Sequence, residues 1–345
     1  MTPALAVAEA LHESAQPVQT LFCGPAGGVA ERLVAANNGA FIPLEVHPLR
    51  GGGVLRWLNG LLRLPMGMLR SDRLLRTLRP DLVVGTGAHT SGPLVALAAL
   101  QGIPTLLFEA NVDVGLANRM LGRLVQAAAV AWPQTLGSFP GREFLSGWPV
   151  RRAIRAHVPQ AIPQPGRFHL LILGGSAGAS ELDRAMRDAL PRLGSLAQAL
   201  SVVHQASPQE VPELRQQYGA AGVDARVEPF FADLAEPYHR ASLVITRAGA
   251  ATLAELAAAG RPAILVPLPA AGDHQLANAK AWEEAGCSRS ILPNELNGTS
   301  LSDAILSLAS DGSELTRMGE AARSWHRPDA ASRMADWCRF AMLTA

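Results

Sequence analysis

Short apolar runs rich in β-branched residues alternate with stretches of helical period along the chain. That alternation predicts parallel sheets whose strands are joined by crossover helices, an α/β fold. In the first half, Gln19–Cys23, Asp81–Val84, Thr105–Phe108 and Ala127–Ala131 read as strands. Pro3–Leu11 reads as a helix, with Pro3 suited to the first turn, where its missing N–H costs nothing. No strand run precedes that helix, although a crossover pattern calls for one. Arg155–Arg167 carries three prolines and no apolar period, so it reads as a linker. The alternation then restarts, with strands at His169–Leu173, Ser201–His204, Arg226–Val227, Leu243–Thr246 and Ala263–Val266. Glu314 to Ala345 is mostly of helical pattern. These breaks predict a first domain over 1–150, a second over 151–320 and a terminal helix over 321–345 that packs back toward the first.

In each half a strand runs straight into a glycine-rich loop and then a helix. The first is Asp81-Leu-Val-Val-Gly85-Thr-Gly87-Ala-His89-Thr-Ser-Gly92, and the second Leu170-Leu-Ile-Leu-Gly174-Gly175-Ser176-Ala-Gly178-Ala179. A helix N-terminus offers unpaired N–H groups to an anion, and glycine lets a phosphate approach the backbone. A tight turn that merely needs glycine would look the same. A dinucleotide fingerprint would end the next strand, near Val203, on an acidic residue, and none stands there.

A richer constellation runs from Thr246 through Arg247, Gly249, Thr252 and Glu255 to Gly260 and Pro262. A strand ends at Thr246, Gly249 opens a helix, and Gly260 followed by Pro262 closes it. The amides of Ala250, Ala251 and Thr252 form the positive end of that helix. Glu255, one turn further in, could grip the two hydroxyls of a ribose. Two readings stay open: a nucleoside diphosphate seat, or a glutamate that complements the helix dipole for about 0.3–1 kcal/mol. Pro267–Ala279 reads as a loop whose Asp273, His274, Gln275 and Asn278 could hydrogen-bond a sugar.

Composition narrows the classes. A chain of 345 residues, 48% hydrophobic and 17% charged, suits two globular domains. A net charge of +1 gives no field that would call for nucleic acid. Cys23, Cys287 and Cys338 are far apart, so neither a zinc site nor a disulfide framework is expected. No DxD-type carboxylate pair or histidine cluster marks a metal, and no cofactor is expected. The first residues lack a basic segment followed by an apolar one, so no signal peptide is expected. The uncharged run Gly92–Phe108 is broken by Gln101, Gly102 and Pro104, which reads as a helix followed by a strand rather than a membrane span.

In order along nearly the whole chain, these segments resemble the MurG family, the UDP-N-acetylglucosamine (UDP-GlcNAc) transferases of peptidoglycan synthesis. Pro3–Leu11 is similar to the helix after that family's first glycine-rich loop, Gly85–Pro93 to its second loop and Gly174–Ala179 to its third. Glu109-Ala-Asn111 with Gly115-Leu116 and Asn118-Arg119 resembles an EQN…GLTNR stretch, Gly147–Arg151 a GNPVR motif, and Phe230–Leu234 the loop that contacts uracil. The resemblance implies a GT-B fold, two Rossmann-like domains with parallel sheets facing a cleft. It implies inverting transfer of GlcNAc from UDP-GlcNAc to the 4-hydroxyl of lipid I, giving lipid II. It places the enzyme peripherally on the cytoplasmic face of the inner membrane. Carried over by position, Asn111 and Gln275 would bind sugar hydroxyls, and Arg151 and Ser176 the sugar or diphosphate. Phe231 would present main-chain groups to uracil, and Ala250, Ala251, Thr252, Leu253, Ala254 and Glu255 would hold phosphate and ribose.

The chain departs from the family pattern at Phe108 (histidine), Ala110 (glutamine), Trp148 (asparagine) and His89 (an aromatic). The first three suggest, as an alternative, a related transferase with another acceptor. The family's first loop, GGTGGH, has no counterpart. The expectation is therefore a natural protein that begins upstream of Met1, with Met1 standing where valine is common. The 345-residue chain would then be an inactive donor binder, with an apolar groove beside Gln19–Cys23 and Asp81–Val84. Finally, Leu49–Pro80 carries seven arginines and one acid, Asp72, among many leucines, with Pro65 dividing it. It reads either as a core helix with arginines at its rim or as a surface that docks on anionic lipid.

Overall fold

The computed structural model describes residues 2–13, 18–44, 54–87, 91–155, 166–174, 179–231, 233–268 and 274–344, and of Val29 and 54–65 the backbone alone. The chain forms two compact units, Met1–Arg151 with Arg327–Ala345, and Arg152–His326.

The first unit contains α1 (Thr2–His12), β1 (Leu21–Gly24), α2 (Val29–Ala36), β2 (Ala40–Pro43), α3 (Val54–Leu78), β3 (Val83–Gly85), α4 (Gly92–Leu100), β4 (Thr105–Glu109), α5 (Leu116–Leu121), β5 (Ala127–Val130) and β6 (Glu143–Leu145). Its strands form two separate parallel sheets, β1-β2 and β3-β4-β5-β6. β4 and β5 are buried at every position, as strands covered by helices on both faces must be. Leu106 and Phe108 of β4 pack with Val7 and Leu11 of α1, while Leu107 between them packs with Leu75 of α3 and Val95 of α4.

The second unit contains α6 (Arg152–Arg155), β7 (Phe168–Leu173), α7 (Ala179–Ala189), β8 (Leu200–Gln205), α8 (Val211–Ala220), β9 (Asp224–Glu228), α9 (Ala235–Arg240), β10 (Leu243–Thr246), α10 (Ala250–Ala259), β11 (Ala263–Leu265), α11 (His274–Glu284), β12 (Ser288–Ser290), α12 (Gly298–Ala309) and α13 (Gly312–Ser324). Its one parallel sheet runs β12-β11-β10-β7-β8-β9. The chain then returns to the first unit as α14 (Ala330–Thr344), whose Met334, Ala335 and Cys338 join the α1 cluster.

Three strands escape the sequence pattern: β2, β6 and β12. Each is the end strand of its sheet. An end strand is covered less and kept short, so it lacks the apolar run that marks an interior strand. Two further expectations need correcting. The backbone of α3 runs through Pro65, since a proline that removes one helical hydrogen bond can kink a helix without ending it. His274–Ala279 lies on α11 rather than in a loop. The linker over 155–167 lies mostly outside the described residues.

Candidate functional site

In the second unit, β7 and β10 are adjacent, with Leu173 opposite Thr246. The chain leaves β7 toward β8 on one side and β10 toward β11 on the other. This is the switch point of a doubly wound sheet, where the loops after neighbouring strands diverge and leave a crevice. The ends of both strands, at Leu173 and Thr246, lie there. The Thr246 hydroxyl donates to the Leu173 carbonyl at 3.1 Å, tying the two strand ends together. Arg247 is nearly buried and its guanidinium reaches Glu181 of α7 at 3.1 Å.

Helix α10 starts at the crevice. Gly249 is extended (φ −69°, ψ 132°) and supplies no side-chain cap, so the first-turn amides of Ala250, Ala251 and Thr252 point out of the helix without intrahelical acceptors. At the other end Gly260 takes the left-handed conformation, φ 63°, which glycine adopts without strain, and Pro262 prevents continuation. Leu253 and Ala254 are buried and hold the helix, while Ala251, Thr252 and Glu255 on either side of them are half-buried.

The half-buried Glu255 accepts a hydrogen bond from the Tyr238 hydroxyl at 3.0 Å. Tyr238 is fully buried on α9. A second tie joins the same helices: the buried Arg261 guanidinium, lowered to about 10 by its burial, donates to the carbonyls of His239 and Ala241. Tyr238 carries no sequence signal. Its helix is short and follows an irregular segment, so only the folded structure brings it to Glu255.

The loop before α9 holds Phe231, buried beneath the Arg226 guanidinium, which lies 4.9 Å from the ring centroid. The Asp233 carboxylate accepts from the Ala235 amide at 2.9 Å and so starts α9. On α11, the Gln275 side-chain oxygen accepts from the Leu268 amide at 2.9 Å, which ties α11 to the chain just after β11. Asn278, expected to face a sugar, is instead fully buried and donates to the Ala248 carbonyl at 3.2 Å. It ties α11 to the turn that opens α10. Ser176, His89 and Asp273 lie outside the described residues.

In the first unit, Glu109 ends β4 almost fully buried and organises the loop that follows. Its carboxylate accepts from the Asn111 amide (3.0 Å) and side chain (3.3 Å), the Gly115 amide (3.0 Å) and the Asn118 side chain (2.8 Å). Asn111 is thereby held half-buried at the end of the sheet. Arg151, the last residue of this unit's main segment, is also half-buried, and its Nε has no hydrogen-bond partner among the described residues. The departures at Phe108, Ala110 and Trp148 prove to be neighbours. All three belong to the α1–α14 cluster, and the Phe108 and Trp148 rings meet edge to face at 5.1 Å. An apolar exchange within a core explains them as a set.

Two family models match, the glycosyltransferase family 28 N-terminal domain over residues 1–130 and the C-terminal domain over 169–334. The chain belongs to glycosyltransferase family 28. It is 38% identical over 338 residues to the UDP-N-acetylglucosamine–N-acetylmuramyl-(pentapeptide) pyrophosphoryl-undecaprenol N-acetylglucosamine transferase of Anaeromyxobacter sp., covering 97% of this chain and 89% of that one. To the Halorhodospira halophila protein of the same description it is 40% identical over 341 residues, covering 97% and 93%. The crystal structure of Acinetobacter baumannii MurG superposes with a TM-score of 0.75 at 28% identity, covering 98% of this chain and 95% of that one. The S. aureus MnaA–UDP co-structure, with a TM-score of 0.70 at 13% identity and covering 98% and 92%, shares the fold.

Proposed function

We propose that the protein transfers N-acetylglucosamine from UDP-GlcNAc to the 4-hydroxyl of the N-acetylmuramyl residue of lipid I, with inversion, to give lipid II. The observation that carries the donor half is the uncapped N-terminus of α10 at the switch point, with a glutamate one turn in and fixed by a buried tyrosine. The diphosphate sits on the first-turn amides, where the helix dipole stabilises negative charge. Glu255, held by Tyr238, accepts hydrogen bonds from the ribose hydroxyls. Phe231 presents main-chain groups to uracil, Gln275 and Asn111 take the sugar hydroxyls, and Arg151 and Ser176 the sugar or phosphates.

In the reaction the acceptor oxygen attacks the anomeric carbon from the side opposite UDP and loses its proton. The bond from that carbon to the diphosphate oxygen breaks, and the electron pair leaves with UDP. Negative charge on the leaving group is met by oriented backbone amides, which need no reorganisation when the charge develops. The acceptor is lipid-linked, so the enzyme works at an anionic membrane surface, on the cytoplasmic face, in peptidoglycan synthesis. No described helix is long and apolar enough to cross a membrane, so attachment is peripheral in this reading.

The test is transfer of labelled GlcNAc from UDP-GlcNAc to a lipid I analogue, with Glu255→Ala as control. Labelled lipid II that depends on Glu255 is expected. Hydrolysis of UDP-GlcNAc without transfer, or transfer to other sugars only, would refute the acceptor assignment.

A further inference from the structure

Arg261 is a fully buried cation that no carboxylate among the described residues offsets. Burial, and then the neighbouring Arg323, lower its pKa to about 10, so it is still charged at neutral pH. Taking a charge out of water without a counter-charge is costly, and an apolar side chain of similar volume often serves stability as well or better. Fold stability alone gives no reason for an arginine here. Its partners do.

The Arg261 guanidinium donates to the Ala241 carbonyl at 3.0 Å and to the His239 carbonyl. Both lie at the C-terminal end of α9, where the last carbonyls lack intrahelical donors and a cation meets the negative end of the helix. With six residues, α9 is too short to hold its shape or place by itself. Tyr238 stands in that last turn and donates its hydroxyl hydrogen to Glu255 at 3.0 Å. Arg261 follows Gly260 directly, and its own amide donates to the Leu256 carbonyl at 3.0 Å, which fixes its backbone to α10. Helix α9 is therefore fastened to α10 at two points, at Glu255 through the tyrosine and at Arg261 through the carbonyls. A single point would let α9 pivot. Two points fix where the Tyr238 hydroxyl stands, and with it the carboxylate.

We propose that Arg261 is a positioning residue for the donor: it holds α9 so that Tyr238 turns the Glu255 carboxylate toward the ribose, and thereby sets the preference for a nucleotide with ribose hydroxyls. The proposal rests on the reading of Glu255 as the ribose ligand. The experiment titrates the protein calorimetrically with UDP and with 2′,3′-dideoxyuridine diphosphate, which keeps base and phosphates and lacks both hydroxyls. The wild type should prefer UDP by roughly 10- to 150-fold, the weight of hydrogen bonds to a charged group, and Glu255→Ala should abolish that preference. Arg261→Met, apolar and of similar length, should cut the preference several-fold. It should leave affinity for the dideoxy compound unchanged, since the amides of the first turn of α10 are untouched. A role in stability alone would not move the ratio. If Arg261→Met does not fold, Arg261→Lys is read in the same way, because lysine keeps the charge and lacks the two-pronged donor geometry. A folded Arg261 variant with the wild-type ratio would overturn the proposal, as would one that loses both ligands equally. A wild-type ratio in Glu255→Ala would instead remove the ribose reading itself, and the proposal with it.

Discussion

Glu109 shows how one buried carboxylate can shape a loop. Four N–H donors converge on it, from Asn111 (two), Gly115 and Asn118. Removing the acceptor orphans several of them, at about 1–3 kcal/mol for each buried group. Glu109→Ala should therefore lower the thermal midpoint of the first unit by several degrees and leave UDP binding in the second intact. An unchanged midpoint would show that the loop holds itself. Phe108 and Trp148 make the opposite point, that residues far apart in sequence can be one substitution. Phe108→His and Trp148→Asn should be non-additive in stability, with a coupling of about 0.5–3 kcal/mol, measurable by denaturant unfolding of the single and double variants. Strict additivity would argue that the ring contact carries no weight. At this scale Glu255 was legible in the sequence, because a strand, a glycine and a helix start fix where it stands. Tyr238 and Arg261 were not, because long-range packing alone brings them to α10.

The strands plainest in the sequence are buried on both faces: β4, β5, β7 and β10 are buried at every residue, and each is mostly apolar. The end strands β2, β6 and β12 pack on fewer neighbours and carry mixed residues, so periodicity could not find them. The segment Pro267–Ala279 was misjudged for a different reason. Its glycine and proline content signalled a loop, but residues from His274 on form α11, where Asn278 points inward to Ala248. The basic segment before β3 forms α3, with Leu75 buried and Met66 and Leu69 exposed at 58% and 70%. The side chains of Leu58, Leu61 and Leu62, in the same segment, lie outside the described residues. The exposed pair supports the docking reading. Sedimentation with liposomes should require anionic lipid and weaken as salt rises, since screening shortens the reach of surface charge to about 8 Å at physiological ionic strength. Met66→Ser with Leu69→Ser should reduce it further. Binding to neutral vesicles that ignores salt would contradict the electrostatic part.

Two units of related topology make up the molecule, and the sequence announced them through a repeated strand-glycine-helix pattern. The divided first sheet was legible too, because no strand run precedes α1, and a cavity lies beside β1 and β3 where the sequence places a groove. The second unit has its full strand order, and the donor reading rests on it. The most direct test of that reading is calorimetric titration of the protein with UDP, in wild type and Glu255→Ala. Loss of hydrogen bonds to a charged group predicts weaker UDP binding by about 1.5–3 kcal/mol, roughly 10- to 150-fold, with the melting behaviour of the free protein unchanged. Tyr238→Phe should give a smaller loss in the same direction. UDP binding with the same affinity in wild type and Glu255→Ala, or no UDP binding by the folded protein, would contradict the account.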